Sequence, residues 1–119
     1  MYQIAVVTKD DVPSLKGLRE KVGVCKYRSF KDLPEGIFYR MVYLDLDLLQ
    51  AEHLDVLESI RSVSLTESRV ILGASDPALI PALNDAHQYS TFVKPFDEEK
   101  EKRLADDILE FYEANGLID

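Results

Sequence analysis

Val42-Tyr43-Leu44-Asp45-Leu46 is an apolar run that carries a carboxylate near its end, and Phe92-Val93-Lys94-Pro95-Phe96 is a second that carries a lysine. In an open parallel sheet, side chains at the carboxyl ends of neighbouring strands converge on one crevice. An Asp on one strand tip and a Lys on another can therefore meet there as a small charged site. The rest of the chain decides whether such a sheet exists.

Outward from these runs, strand-like and helix-like patterns alternate. Ile4 to Val7 is a short continuous apolar run, as expected of a strand buried on both faces. Asp11 and Pro13 suit a helix start, Leu15, Leu18 and Val22 share one helical face, and Gly23 stands where that helix would stop. Val24 to Tyr27 alternates like a second strand. Pro34 and Gly36 interrupt the segment from Phe30 to Arg40, so any helix there is short. Met41 to Leu46 reads as the third strand. The spacing of Leu54, Leu57 and Ile60 predicts a helix of about 11 residues from Ala51. Val70 to Leu72 is the fourth strand, and Asp76-Pro77 opens a helix that Pro81 disturbs. Thr91 to Val93 is the fifth strand. Leu104, Ile108 and Phe111 line an acidic terminal helix, widened by Ala105, Leu109 and Tyr112 and ended by Gly116. Five strands alternating with helices predict one α/β domain over residues 1–119, its parallel sheet covered on both sides.

Composition narrows the function. The 119 residues suit one domain with a real core, and 46% apolar with 30% charged content is that of an ordinary globular protein. No apolar run approaches the roughly 20 residues of a membrane span, and Met1-Tyr2-Gln3-Ile4 does not open a signal peptide. The single cysteine, Cys25, cannot form an internal disulfide and suits a reducing cytoplasm; within a strand it reads as an inert core thiol. The net charge is −8, and Asp97 to Asp119, with nine acids against three bases, carries −6 of it. Nucleic-acid binding by the chain as a whole is therefore not expected, since phosphate neutralisation needs a positive face. Lys16, Arg19, Lys21, Lys26, Arg28 and Lys31 form one basic stretch, read as a solvated helix-strand edge in preference to a dock for an acidic partner. His53 and His87 match no metal spacing, and no phosphate loop, nucleophile elbow or Cys-His pair appears. Nothing in the sequence argues for a self-standing enzyme.

With these elements in place, the chain resembles the receiver domains of bacterial response regulators, the CheY-like superfamily of two-component signalling. The similarity is best from Val42 to Arg61, where Leu44-Asp45-Leu46 and Leu54-Asp55-Val56-Leu57-Glu58-Ser59-Ile60-Arg61 follow the family pattern without a gap. Val70-Ile71-Leu72 and Phe92-Val93-Lys94-Pro95-Phe96 fit its fourth and fifth strands. The resemblance implies a flavodoxin-like, doubly wound, five-stranded parallel sheet in the order 2-1-3-4-5. It also implies Asp45 as the position that takes a phosphoryl group from a histidine kinase and Lys94 as the position that contacts it. Magnesium would be held by carboxylates. A negatively charged nucleophile approaching a negatively charged donor needs such cations.

The sequence departs from that pattern in three coupled places. The family has an acidic pair directly after the first strand; here Thr8-Lys9 stand there, and acids arrive only at Asp10 and Asp11. An insertion of one or two residues would bring Asp10 back, making Asp10 and Asp45 the candidate magnesium ligands. Without it, Lys9 would pair with Asp45 in place of a metal. The family hydroxyl after the fourth strand falls on Gly73, with Ser75 two residues late, and its aromatic falls on Thr91. The following loop has Leu49 and Glu52-His53 where Pro and Asp-Gly are usual, and Asp47 reads as a solvated loop acid.

The expectation is thus a pseudo-receiver that acts by docking to a protein partner, without efficient phosphorylation and with no required cofactor. The resemblance maps the docking face onto the fourth helix, fifth strand and fifth helix, about residues 76–88, 91–93 and 98–114. The alternative is a genuine phosphoacceptor receiver, phosphorylated on Asp45 by a histidine kinase with Mg2+. A kinase, an output protein or a second copy of the chain in a homodimer are the partners left open. A structural or oligomerisation domain, with Asp45–Lys94 only as a buried tie, is the third reading.

Overall fold

The structure is a computed structural model, and it describes residues 3–10, 23–34, 36–37, 39–80, 88–94 and 98–116. Its centre is a parallel sheet of β1 (Gln3–Val7), β2 (Gly23–Tyr27), β3 (Tyr39–Asp45), β4 (Ser64–Ala74) and β5 (Gln88–Val93), in the spatial order β2-β1-β3-β4-β5. Parallel strands must be joined by crossovers, which cover the sheet and require both of its faces to be apolar. Ile4, Ala5, Val6 and Val7 of β1 and Met41, Val42, Tyr43 and Leu44 of β3 are accordingly all fully buried.

Strand alternation divides these residues between two cores. Ile4, Val6, Met41, Tyr43 and Ile71 face α3 (Glu98–Ala114), which buries Leu104, Ala105, Ile108 and Tyr112 against them. Ala5, Val7, Val42, Leu44, Val70, Leu72 and Ala74 face α1 (Leu46–Ala51) and α2 (Val56–Val63), which contribute Leu46, Leu48, Leu49, Ile60 and Val63. Arg69 on β4 pins α3 from the side, its Nη2 donating to Asp107 at 2.8 Å.

Two local expectations need correction. The third strand ends at Asp45, because that side chain caps α1 by accepting from the Asp47 amide; Leu46 is already helical. The single helix from Ala51 is instead two helices. His53 takes φ +57°, the His53 amide donates to the Gln50 carbonyl at 3.0 Å, and the Leu54 amide donates to the Leu49 carbonyl at 2.9 Å. This pair of bonds is a Schellman stop, usually made with glycine at the left-handed position. Asp55 then starts α2 by accepting from the Glu58 amide at 2.8 Å.

Elsewhere, Asp76 caps a single 3-10 turn, Pro77–Leu79, and a second such turn, Phe30–Asp32, occupies the segment broken by Pro34 and Gly36. Gly116, at φ +66°, follows the end of α3. Tyr112 fills the buried stripe of that helix, with Phe111 packed at its margin. The helix expected from Asp11 to Val22 and the remainder of the one after Pro77, residues 81–87, lie outside the described residues.

Candidate functional site

Register brings the polar residues together. Val6 pairs with Tyr43 and Val7 with Leu44, so Thr8, one step past β1, comes level with Asp45; Asp45 itself pairs with Gly73, and Gly73 with Phe92. Period-two alternation puts Thr8, Asp45, Gly73 and Lys94 on the sheet face that α3 covers, at its carboxyl end. The Lys94 amide is held by the Ala74 carbonyl at 2.8 Å, which fixes the backbone from which that side chain extends.

Lys94 is the hub. Its Nζ lies 2.7 Å from Asp45 Oδ2, 2.6 Å from Asp10 Oδ2 and 3.3 Å from Asp47 Oδ2. The Lys94 and Asp45 side chains are 9% and 4% exposed, whereas Asp10 is 47% exposed, so the pair forms the floor and Asp10 the rim. Asp45 Oδ2 also accepts from Thr8 Oγ1 at 2.8 Å, while Oδ1 accepts from the Asp47 amide at 3.0 Å. Both oxygens of the candidate phosphoacceptor are therefore engaged within the protein. Asp10 is steered inward by its amide bond to Thr8 Oγ1 at 3.0 Å, and its carbonyl accepts from Lys26 Nζ at 2.6 Å.

The electrostatics follow the geometry. Burial alone would favour a neutral amine at Lys94. The hydrogen bonds and charges of Asp10 and Asp45 outweigh that and hold its pKa above the ordinary lysine value. Burial likewise works to raise the Asp47 pKa, but bonds from Ser75 and Lys94 bring it below the ordinary aspartate value. Tyr43, fully buried beside the cluster, has its phenol pKa pushed up by burial and then by the charges of Asp45, Asp10 and Asp47.

Of the expected residues, Asp45, Lys94 and Asp10 come together. Lys9 is exposed, and Lys94 rather than Lys9 supplies the ammonium at Asp45. Asp47 is not a loop acid: it belongs to the first turn of α1, and Ser75 donates to it from its amide at 3.1 Å and from Oγ at 2.5 Å. Asp47 and Ser75 are the members that sequence reasoning missed. The signal was the Asp45-x-Asp47 spacing, which reads as a helix cap once the strand is known to end at Asp45. Thr91 is exposed, and Glu52, in the divergent loop, accepts from Ser29 Oγ at 2.6 Å. Cys25 is a half-buried free thiol in β2, and His53 is exposed. Asp11, His87, Pro95 and Phe96 lie outside the described residues.

Magnesium demands oxygen ligands in near-octahedral array. Here an ammonium stands where three carboxylates converge, Thr8 presents a hydroxyl donor, and among the described residues no three His, Cys, Asp or Glu side chains are grouped to hold a metal. An ion at this point would have to displace the Lys94 ammonium from these oxygens.

No family model matches the chain, and no curated protein matches it. A solved structure similar to it is the response regulator receiver domain (CheY-like) from Methylobacillus flagellatus, with a TM-score of 0.53 and 16% sequence identity over 91% of this chain and 98% of that one. The protein has the receiver fold. No helix among the described residues is long and apolar enough to cross a membrane.

Proposed function

We propose that this flavodoxin-like chain is a single receiver-like domain over residues 1–119 that works as a cytoplasmic docking module, a pseudo-receiver. It is not an enzyme, has no efficient phosphoryl switch and requires no cofactor. The observation that supports this is the closed tie of Thr8, Asp45 and Lys94 with Asp10 and Asp47. A carboxylate nucleophile must release its internal partners before it attacks, and the approaching phosphoryl donor adds negative charge to a cluster with three carboxylates and one ammonium. Lys94 already supplies the cation that partners the buried Asp45 carboxylate.

Docking would use α3 with the neighbouring β5 edge. Asp106, Glu110 and Glu113 are exposed along that helix, and Val93 presents an apolar side chain at the strand end. This composition favours a basic partner, with an association that weakens as salt is raised. An output protein or a histidine kinase with a basic face is such a partner, whereas a homodimer would have to pair this acidic face with a different surface of the second copy. Neither membrane insertion nor direct nucleic-acid binding belongs to this reading.

The alternative is a genuine receiver phosphorylated on Asp45 by a histidine kinase with Mg2+. One observation favours it: Asp10, one position beyond the expected acidic pair, does reach the cluster through Lys94. Intact-protein mass spectrometry after incubation with acetyl phosphate, with and without magnesium and beside Asp45→Ala, separates the two. The expected result is no mass gain under either condition from folded protein, with an active receiver reacting in parallel. A magnesium-dependent gain of one phosphoryl group, absent in Asp45→Ala, overturns the pseudo-receiver.

A further inference from the structure

Gly73 lies at the centre of the charged crevice, paired with Asp45 on one side and with Phe92 on the other. A side chain there would point at the cluster, yet the space is already taken. A Cβ on Gly73 would press into the hydroxyl of Tyr43 and lie 2.9 Å from its Cζ and 3.2 Å from its Cε2. The phenol thus starts on β3, two residues before Asp45, and reaches across to β4 beneath that carboxylate. Tyr43 is fully buried, and its ring belongs to the core that Leu104, Ala105, Ile108 and Tyr112 of α3 close.

We propose that Tyr43 couples the Asp45–Lys94 cluster to α3, with its phenol standing where a side chain at position 73 would otherwise be. Glycine at 73 is the room made for that phenol. The ring belongs to the α3 core and carries its hydroxyl to the point where Gly73 pairs with Asp45, so a change of charge or bulk at Asp45 disturbs it first. Close packing then passes the displacement to α3, since a filled core cannot yield at one point only. The electrostatic reach of Asp45, Asp10 and Asp47 to the phenol agrees with this placement. The inference requires neither phosphorylation of Asp45 nor a docked partner, and it stands or falls apart from the function proposed above.

The test is NMR of protein labelled at tyrosine Cζ and at isoleucine methyls, read at Tyr43 and at Ile108. Asp45→Asn removes charge above the phenol, and Gly73→Ala forces the phenol from its place; each is made with Tyr43 and with Tyr43→Phe. Both changes should shift the Tyr43 Cζ signal and the Ile108 methyl, and in the Tyr43→Phe background the methyl shifts should be at least halved. Loss of the hydroxyl in that background leaves Cζ, at 2.9 Å, as the nearest ring atom to an added Cβ. A Tyr43 signal indifferent to Asp45→Asn would overturn the proposal. So would an Ile108 shift that persists undiminished in Tyr43→Phe. Should Gly73→Ala fail to fold, the Asp45→Asn pair decides alone.

Discussion

The two faces of one sheet, built from alternate residues of the same strands, end in different chemistry. The face under α1 and α2 stays aliphatic to its carboxyl edge, through Val7, Leu44, Leu72 and Ala74. The face under α3 turns polar within two residues: Val6 gives way to Thr8 and Tyr43 to Asp45, while Ile71 gives way to Gly73, whose space the Tyr43 hydroxyl takes. An aliphatic layer is stabilised by area alone and tolerates rearrangement if volume is kept. The polar end of the other face holds only while every charge has its partner, because an unpartnered buried charge costs far more than a missing methyl group.

The sharpest way to break this comparison is Lys94→Met. With the ammonium gone, Asp45 stays buried beside two other carboxylates, and a loss of about 3–5 kcal/mol in urea unfolding is expected. Adding Asp45→Asn to Lys94→Met should recover most of it. A loss under about 1 kcal/mol for Lys94→Met alone would mean that water screens the crevice as it does a surface pair. Truncation on the aliphatic face, Leu44→Ala, should cost about 2–5 kcal/mol with no recovery from Asp45→Asn.

Acid sharpens the contrast further. The Asp47 carboxyl is held below its ordinary range, so its contribution is complete above about pH 4 and is lost as pH falls through its lower, folded-state value. Unfolding midpoints measured from pH 6 to pH 2 should therefore fall less steeply in Asp47→Asn than in the parent chain. Equal slopes would show that Ser75 and Lys94 do not favour the ionised form of Asp47.

The smallest effect concerns a polar atom deep in the α3 core. The Tyr112 hydroxyl is buried without a hydrogen-bond partner among the described residues, and burial pushes its pKa up to about 12. Tyr112→Phe should be neutral or stabilising by up to about 1 kcal/mol in thermal unfolding. A clear loss would reveal a partner for that hydroxyl and make this face polar further from its edge.

The apolar body of both faces was the most legible part. Continuous apolar runs such as Ile4 to Val7 and Met41 to Leu44 report burial on both sides, and the α/β class with a parallel sheet follows from them. Helix limits were less legible, because they depend on atoms rather than on hydropathy. Leu54, Leu57 and Ile60 keep helical spacing, yet His53 in a left-handed conformation closes α1 and the Asp55 side chain opens α2. Within the site, Asp45 and Lys94 were legible as strand tips. Asp47 was not, since its position depends on the strand ending at Asp45 and on that side chain capping α1. The Tyr43–Gly73 fit was hidden for a similar reason: residues distant in sequence give no sign that one side chain fills the space the other leaves open.

The last helix also bears on how the chain is made. Synthesis runs from the amino end, so β1, β3 and β4 leave the ribosome before α3 does. Until Leu104, Ala105, Ile108 and Tyr112 arrive, Ile4, Val6, Met41, Tyr43 and Ile71 lack the cover that α3 provides. A nascent chain stalled before residue 104 therefore carries an apolar sheet face that α3 has yet to close, the kind of surface chaperones bind, and release from such binding would track the emergence of that one helix.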